Sequence, residues 1–167
     1  DDYKIIVAAG KKAGVGVKAL YPVQKAMENP LKTKSITLSC GKLLTGVTVK
    51  PWSGIFMLTN LSSPETYFQA AFRVQSPWTL KNINNMSPNQ EFVLKEECYI
   101  LDFAPNRALI QVADYSCRLN IEEDSQEKKV AEFISFLPIL AYDGASMKQI
   151  DAAGVLDIAL SGTSATL

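Results

Sequence analysis

The sequence predicts an α/β fold, a parallel sheet flanked by helices, with a partly helical C-terminal extension. Three observations carry that expectation. Four β-rich segments, Tyr3–Ala9, Lys34–Cys40, Ser53–Asn60 and Cys98–Ala104, are nearly continuously apolar rather than alternating, the pattern of parallel strands covered on both faces. Helical patterns lie between or after them, and such alternation marks βαβ units. The composition, 47% hydrophobic and 20% charged over 167 residues, is that of a globular chain long enough for one core and a tail.

The helices follow in order. Lys18–Asn29 is closed by Pro30. The second runs from Pro64 to about Gln75, with Ser62 or Ser63 as N-cap, Pro64 in the first turn and Glu65 at the positive helix end. A third begins near Asn106 and reaches Leu119, and a fourth, Ser125–Phe136, follows the acidic stretch Glu122-Glu123-Asp124. Lys81–Gln90, rich in Asn, Ser and Pro, reads as a loop. Beyond Pro138 the chain is rich in small residues and weakly patterned. Residues 1–120 therefore read as one domain and 121–167 as a helical linker and the start of a further region. There are no internal repeats or low-complexity tracts.

Several classes are set aside by simple counts. The longest apolar runs, such as Ile5–Ala9 and Ile55–Leu58, are far too short to span a bilayer. The first residues, Asp1-Asp2-Tyr3-Lys4, lack a signal-peptide pattern and run almost directly into a strand, which suggests a segment of a longer cytoplasmic protein with no membrane partner. Cys40, Cys98 and Cys117 are odd in number, none stands in C-x-x-C spacing, and there is no histidine. Buried reduced thiols are expected, and no metal site. Net charge is zero but unevenly spread. Residues 1–90 hold ten lysines and Arg73 against four acidic residues, whereas residues 91–167 hold six basic and thirteen acidic ones. A basic surface of this kind suits phosphates, although a solvated lysine-rich face would look the same.

The first strand ends in Gly10-Lys11-Lys12-Ala13-Gly14-Val15-Gly16 before a helix, the G-x-x-x-G-x-G of a Rossmann-type dehydrogenase, and Tyr21 and Lys25 give a Y-x-x-x-K pair. Glycines there let a backbone approach a pyrophosphate at a helix N-terminus. The pair, however, falls in the helix directly after the glycines, and the second strand ends without the acidic residue that binds ribose. An NAD(P)-binding Rossmann protein is thus a minor alternative, and the glycines read equally as a plain strand–helix connection. A Walker A loop, G-x-x-x-x-G-K-[ST], is absent: Gly41-Lys42 is followed by Leu43. No D-E pair follows an apolar strand as a Walker B would.

Residues 36–78 carry an ordered set of features: a strand, Leu43-Leu44-Thr45-Gly46-Val47-Thr48, Pro51, a second strand, and a helix bearing Gln69 and Arg73. Later comes Tyr99-Ile100-Leu101-Asp102-Phe103-Ala104-Pro105. In order and spacing, this resembles motifs V and VI, and the strand after them, of superfamily 2 helicases, in particular the motor subunits of type I restriction enzymes and related DEAD/DEAH restriction-type helicases. The resemblance covers roughly residues 3–142. It implies a second RecA-like lobe of an ATP-dependent DNA helicase or translocase, with RNA as the other nucleic-acid option. ATP and Mg2+ would be bound in the intact parent, by a first RecA-like lobe together with this one, and not by this chain alone.

Particular residues follow from that likeness. Ser39, Gly41, Lys42 and Thr45 offer hydroxyls, backbone N–H groups and a positive charge, groups that hold nucleic-acid phosphates without reading sequence. Gly46 and Thr48 fall at the nucleotide edge. Gln69 and Arg73, four apart, share a helix face. The resemblance gives Arg73 the arginine-finger role on the γ-phosphoryl group. Three positions, in two motifs, depart from the family. Phe72 and Ser76 replace the small residue and the second arginine of motif VI, and Thr48 replaces the aspartate of motif V. These departures favour the main alternative, a non-catalytic RecA-like interaction module.

Overall fold

A βαβ crossover forms the first part of the chain. In the computed structural model, which describes residues 3–10, 14–81, 91–142 and 144–164, β1 (Lys4–Ala8) pairs in parallel with β2 (Ser35–Ser39), in register Ile5↔Ile36 and Val7↔Leu38. Helix α1 (Val17–Met27) connects them and buries Ala19, Val23 and Met27. Its stripe meets Ile6 and Ala8 from β1 and Leu43, Val47 and Val49 from the segment after β2. Pro22 lies inside α1 and removes one N–H from its ladder.

The strands expected at 53–60 and 98–104 are present as β3 (Gly54–Met57) and β6 (Tyr99–Asp102), and they pair with each other. Helix α2 (Pro64–Ala71) continues into a 3-10 turn, Phe72–Val74. Ser63 is its cap: the Ser63 Oγ accepts from the Thr66 N–H at 3.3 Å and donates to the Glu65 carboxylate at 2.8 Å. Helices α3 (Pro105–Leu119) and α4 (Gln126–Phe136) stand where the pattern puts them, α4 capped by Ser125.

The expected fold thus holds at the level of mixed helix and strand with a parallel pair, but among the described residues the strands form four two-stranded sheets rather than one. The expectation that the first strands are covered on both faces is corrected. Ile6 and Ala8 are buried, but Ile5, Val7, Ile36 and Leu38, which the register places on one face, are 58%, 62%, 41% and 47% exposed. An apolar run can come from a half-covered parallel pair too, because sequence does not record what lies against the second face.

Two hairpins and a helix lie where the residue pattern is weak. An antiparallel hairpin, β4 (Thr79–Lys81) with β5 (Glu91–Val93), flanks the segment read as a loop, whose residues 82–90 lie outside the described residues. Beyond Pro138, β7 (Leu140–Tyr142) and β8 (Met147–Gln149) form a second hairpin. It is followed by α5 (Ala152–Ser164), which packs against α3 and α4.

The chain divides into two compact units. Residues 1–56 and 68–101 form the first, and 57–67 and 102–167 the second. The first holds twelve basic and six acidic residues, the second five basic and eleven acidic, so the charge asymmetry of the sequence follows the structural division. The core of the second unit centres on Val130 and Val155, with Leu109, Val112, Ile134 and Ala159, and Tyr115 stacks edge-on to Phe133 at 5.7 Å. The cysteine expectation is corrected: Cys40 is exposed, and Cys98 and Cys117 are half-buried, all three as free thiols. No described helix is long and apolar enough to cross a membrane.

Candidate phosphate-contact loop

The loop that follows β2 is built from an alternation of anchors and polar groups. Leu43, Val47 and Val49 are 3–5% exposed and plug into the core of the first unit. Before and between them Ser39, Gly41, Thr45, Gly46 and Thr48 are exposed, and Lys42 is half-buried. The polar residues singled out in the sequence therefore reach solvent along one segment at the carboxyl end of a parallel strand, where open α/β sheets bind ligands. Gly46, at φ 68°, stands in the left-handed region that L side chains rarely adopt, as does Gly41 at φ 76°. No acidic side chain lies between Ser39 and Val49.

The glycine-rich connection after β1 meets this loop, since the Gly16 N–H donates to the Lys42 carbonyl at 3.3 Å. At Gly14, φ 71°, a Cβ would lie 2.7 Å from the Lys18 Cβ, so the turn into α1 requires glycine. Tyr21 and Lys25 are both exposed on α1. Residues 11–13 lie outside the described residues.

Arg73 joins the loop to the helix of the second motif. Its Nη1 donates to the Val47 carbonyl at 2.5 Å and its Nε to the Gln69 carbonyl at 3.1 Å. Arg73 thus meets Gln69 through the Gln69 backbone carbonyl, and Gln69 is exposed. Two of the five N–H groups of the guanidinium are engaged in these bonds. Arg73 and Gln69 stand with Ser39, Gly41, Lys42, Thr45, Gly46 and Thr48 in the same unit.

Sequence reasoning missed Lys95. Its Nζ donates to three backbone carbonyls, those of Lys50 at 2.9 Å, Trp52 at 2.9 Å and Val74 at 2.7 Å. Burial lowers its pKa from the usual lysine value, against a smaller upward push from Cys98, while the three carbonyls favour the protonated form. In the sequence it sits in Leu94-Lys95-Glu96-Glu97, a run that looks like solvated charge, and no local pattern marks it.

In the second unit, where the segment Tyr99–Pro105 ends, stands an ion pair that was also not foreseen. Asp102, its side chain 5% exposed, meets the Arg107 Nη2 at 2.6 Å and accepts from the Ala104 N–H at 2.8 Å, closing the turn into α3. Burial first, and then the Asp102 carboxylate, push the Tyr67 phenol well above its ordinary value. A half-screened pair of this kind fixes geometry more than it adds stability. Among the described residues there is no cluster of three or more His, Cys, Asp or Glu able to hold a metal ion.

The chain is similar, at 33% identity over 153 residues, to a Mycoplasma pneumoniae protein named "Putative type II restriction enzyme and methyltransferase RM.MpnORF110P C-terminus". The match takes in 90% of this chain and 20% of that protein, so the chain spans about a fifth of its relative's length. The restriction-type kinship expected from the sequence is in keeping with this match. No family model matches the chain, and no solved structure matches it.

Proposed function

We propose that the chain serves as the second RecA-like lobe of an ATP-driven DNA translocase or helicase in a restriction-modification type protein. The observation that carries this reading is the joint held by Arg73. The residues that resemble motifs V and VI lie 26 apart in sequence, yet one guanidinium bonds the loop of the first to the helix of the second. The basic character of the same unit suits a polyanion, whose phosphates dominate affinity, and the likeness to a protein named as a putative restriction enzyme and methyltransferase supports a restriction-type setting.

In this reading Ser39, Gly41, Lys42 and Thr45 contact nucleic-acid phosphates, and Gly46 and Thr48 line the nucleotide edge. Arg73 supplies positive charge toward the γ-phosphate with its remaining donors, and Gln69 orients on the same helix face. The donor set fits an anion: hydroxyls, amides and a lysine with no carboxylate among them. It does not fit Mg2+, which takes oxygen ligands, usually one or two of them carboxylates. ATP, with its hydrolysable phosphoanhydride, and Mg2+ would accordingly be held mainly by a first lobe elsewhere in the parent.

The test is ATP hydrolysis by the full-length protein with and without DNA, beside the purified chain. The expected result is DNA-stimulated turnover by the parent and none by the chain. Steady turnover by the chain, or a parent without ATPase activity, overturns the assignment. The second outcome favours a non-catalytic RecA-like interaction module, a reading that the engagement of Arg73 by Val47 and Gln69 also suits.

A further inference from the structure

We propose that Lys95 is a positioning residue for the phosphate-contact loop, fixing its trailing end as Arg73 fixes its middle. This inference rests on the proposed phosphate role of that loop. Residues 41–52 return from β2 toward β3 without a strand or helix of their own, so their geometry depends on tethers from outside. Leu43, Val47 and Val49 anchor them to the core by apolar contact, which holds position but not the direction of the backbone. Two cations supply the direction. Arg73 takes the Val47 carbonyl, and Lys95 takes those of Lys50 and Trp52. Both cations also bond the segment that carries Arg73, Arg73 at the Gln69 carbonyl in α2 and Lys95 at the Val74 carbonyl in the 3-10 turn that continues it. The loop is therefore tied at two points to one continuous stretch of the chain.

The chemistry suits lysine in particular. An ammonium carries three donors on a compact centre, and here each meets one carbonyl within 2.7–2.9 Å. Nothing is left over for a phosphate, which separates Lys95 from Lys42. The segment that carries Lys95 is itself pinned on either side. The Leu94 N–H donates to the Trp78 carbonyl, and the Tyr99 N–H to the Ser53 carbonyl, both at 2.8 Å. Held in this way, the exposed Ser39, Thr45 and Thr48 and the half-buried Lys42 meet a ligand from a backbone that does not have to be ordered on binding, which is how preorganisation raises affinity.

The distinction between holding the loop and touching the ligand can be read from salt dependence. A lysine that neutralises a phosphate contributes about one unit to the slope of log affinity against log salt. A lysine that only positions other groups contributes nothing to it. The experiment titrates duplex DNA of mixed sequence with the chain and with its Lys95→Met and Lys42→Ala variants across a range of salt concentrations. Trp52 emission is followed in a Trp78→Phe background. The expected result for Lys95→Met is several-fold weaker binding with an unchanged salt slope and a red-shifted Trp52 emission. Lys42→Ala should flatten the slope. Lys95→Arg should remain weak, because a planar guanidinium cannot meet three converging carbonyls.

A flattened slope in Lys95→Met, or full rescue by Lys95→Arg, would make Lys95 a direct phosphate contact and overturn the proposal. Unchanged affinity would do the same. If Lys95→Met does not fold, Lys95→Gln, which keeps two donors, takes its place in the same titration. Absence of salt-sensitive binding by the unsubstituted chain would sink the phosphate role itself and the positioning role with it, whereas the other negative outcomes leave the phosphate role standing.

Discussion

Replacing Arg73 by alanine in the full-length parent separates what this side chain does for the fold from what it does for chemistry. The structural part can be worked from its two bonds. The Nη1 bond to the Val47 carbonyl, at 2.5 Å, ties the loop, while the Nε bond to the Gln69 carbonyl lies within its own helix. A hydrogen bond from a charged group contributes about 1.5–3 kcal/mol. Arg73 is only half-buried, so solvent screening puts the loss at the low end, on the order of 1 kcal/mol. That leaves most of the ~5–15 kcal/mol of a typical domain intact, and Arg73→Ala should fold.

Under the proposed function the chemical part is larger. Loss of an arginine finger lowers turnover about a thousand-fold or more, about 4 kcal/mol at 1.36 kcal/mol per tenfold. The effect should fall on kcat, because the charge it answers develops in the transition state. Arg73→Lys sharpens the comparison, since an ammonium can still reach one carbonyl but lacks the fork: it should restore the thermal midpoint and not the turnover. The assay is DNA-stimulated ATP hydrolysis, with folding checked by thermal melt. Near-normal kcat in a folded Arg73→Ala protein would remove Arg73 from the mechanism and leave it as a loop tether.

Three further outcomes follow from the structure. Phe68, 1% exposed and 5.4 Å ring-to-ring from Phe72, should cost about 3–5 kcal/mol when cut to alanine; a denaturant midpoint that moves by less than about 1 kcal/mol would show that the α2 core is wrongly drawn. The Glu65 pKa is held below its ordinary 4.5 by its own backbone N–H, then the Ser63 hydroxyl, with a smaller contribution from Arg118. Since the folded value is the depressed one, its stabilisation is complete above about 4.5 and disappears as pH falls through the lowered value. Acid titrations of Glu65→Gln should therefore show a shallower loss of stability below pH 4.5 than the unsubstituted chain, and identical acid limbs would contradict the capping geometry. Cys40, exposed at the end of β2, should react with a thiol alkylating agent before Cys98 and Cys117 under native conditions, as peptide mapping of partly labelled protein would reveal; equal labelling of the three would place β2 deeper than described.

What the sequence made legible was what is decided locally. Apolar runs at 3–9, 34–40, 53–60 and 98–104 located β1, β2, β3 and β6 to within a few residues, and Ser63-Pro64-Glu65 located the start of α2, because caps and periodicity act over one or two turns. Strand pairing is a long-range choice, and nothing in the apolar runs distinguishes one shared sheet from separate pairs. The strands of the β4–β5 hairpin, three residues each, are too short to show a period. Helix α5 was obscured by its small residues, which pack well against α3 and α4 but give weak contrast between faces. For the candidate site, the sequence brought forward the exposed loop residues and Arg73. It could not bring forward Lys95, whose role depends on carbonyls 45, 43 and 21 positions away, or the burial of Asp102 with Arg107.

The open face of the β1–β2 pair has a practical side in the handling of this chain. Ile5, Val7, Ile36 and Leu38 form a contiguous patch of branched side chains, on a two-stranded sheet whose outer edges have no further strand beside them among the described residues. Unpaired edges next to an apolar face are the usual templates for strand addition between molecules. At zero formal net charge there is little mutual repulsion to keep copies apart near neutral pH. Self-association of the purified chain should therefore rise with concentration and with salting-out ions. A single lysine placed at Val7 would suppress it more effectively than any change to the loop.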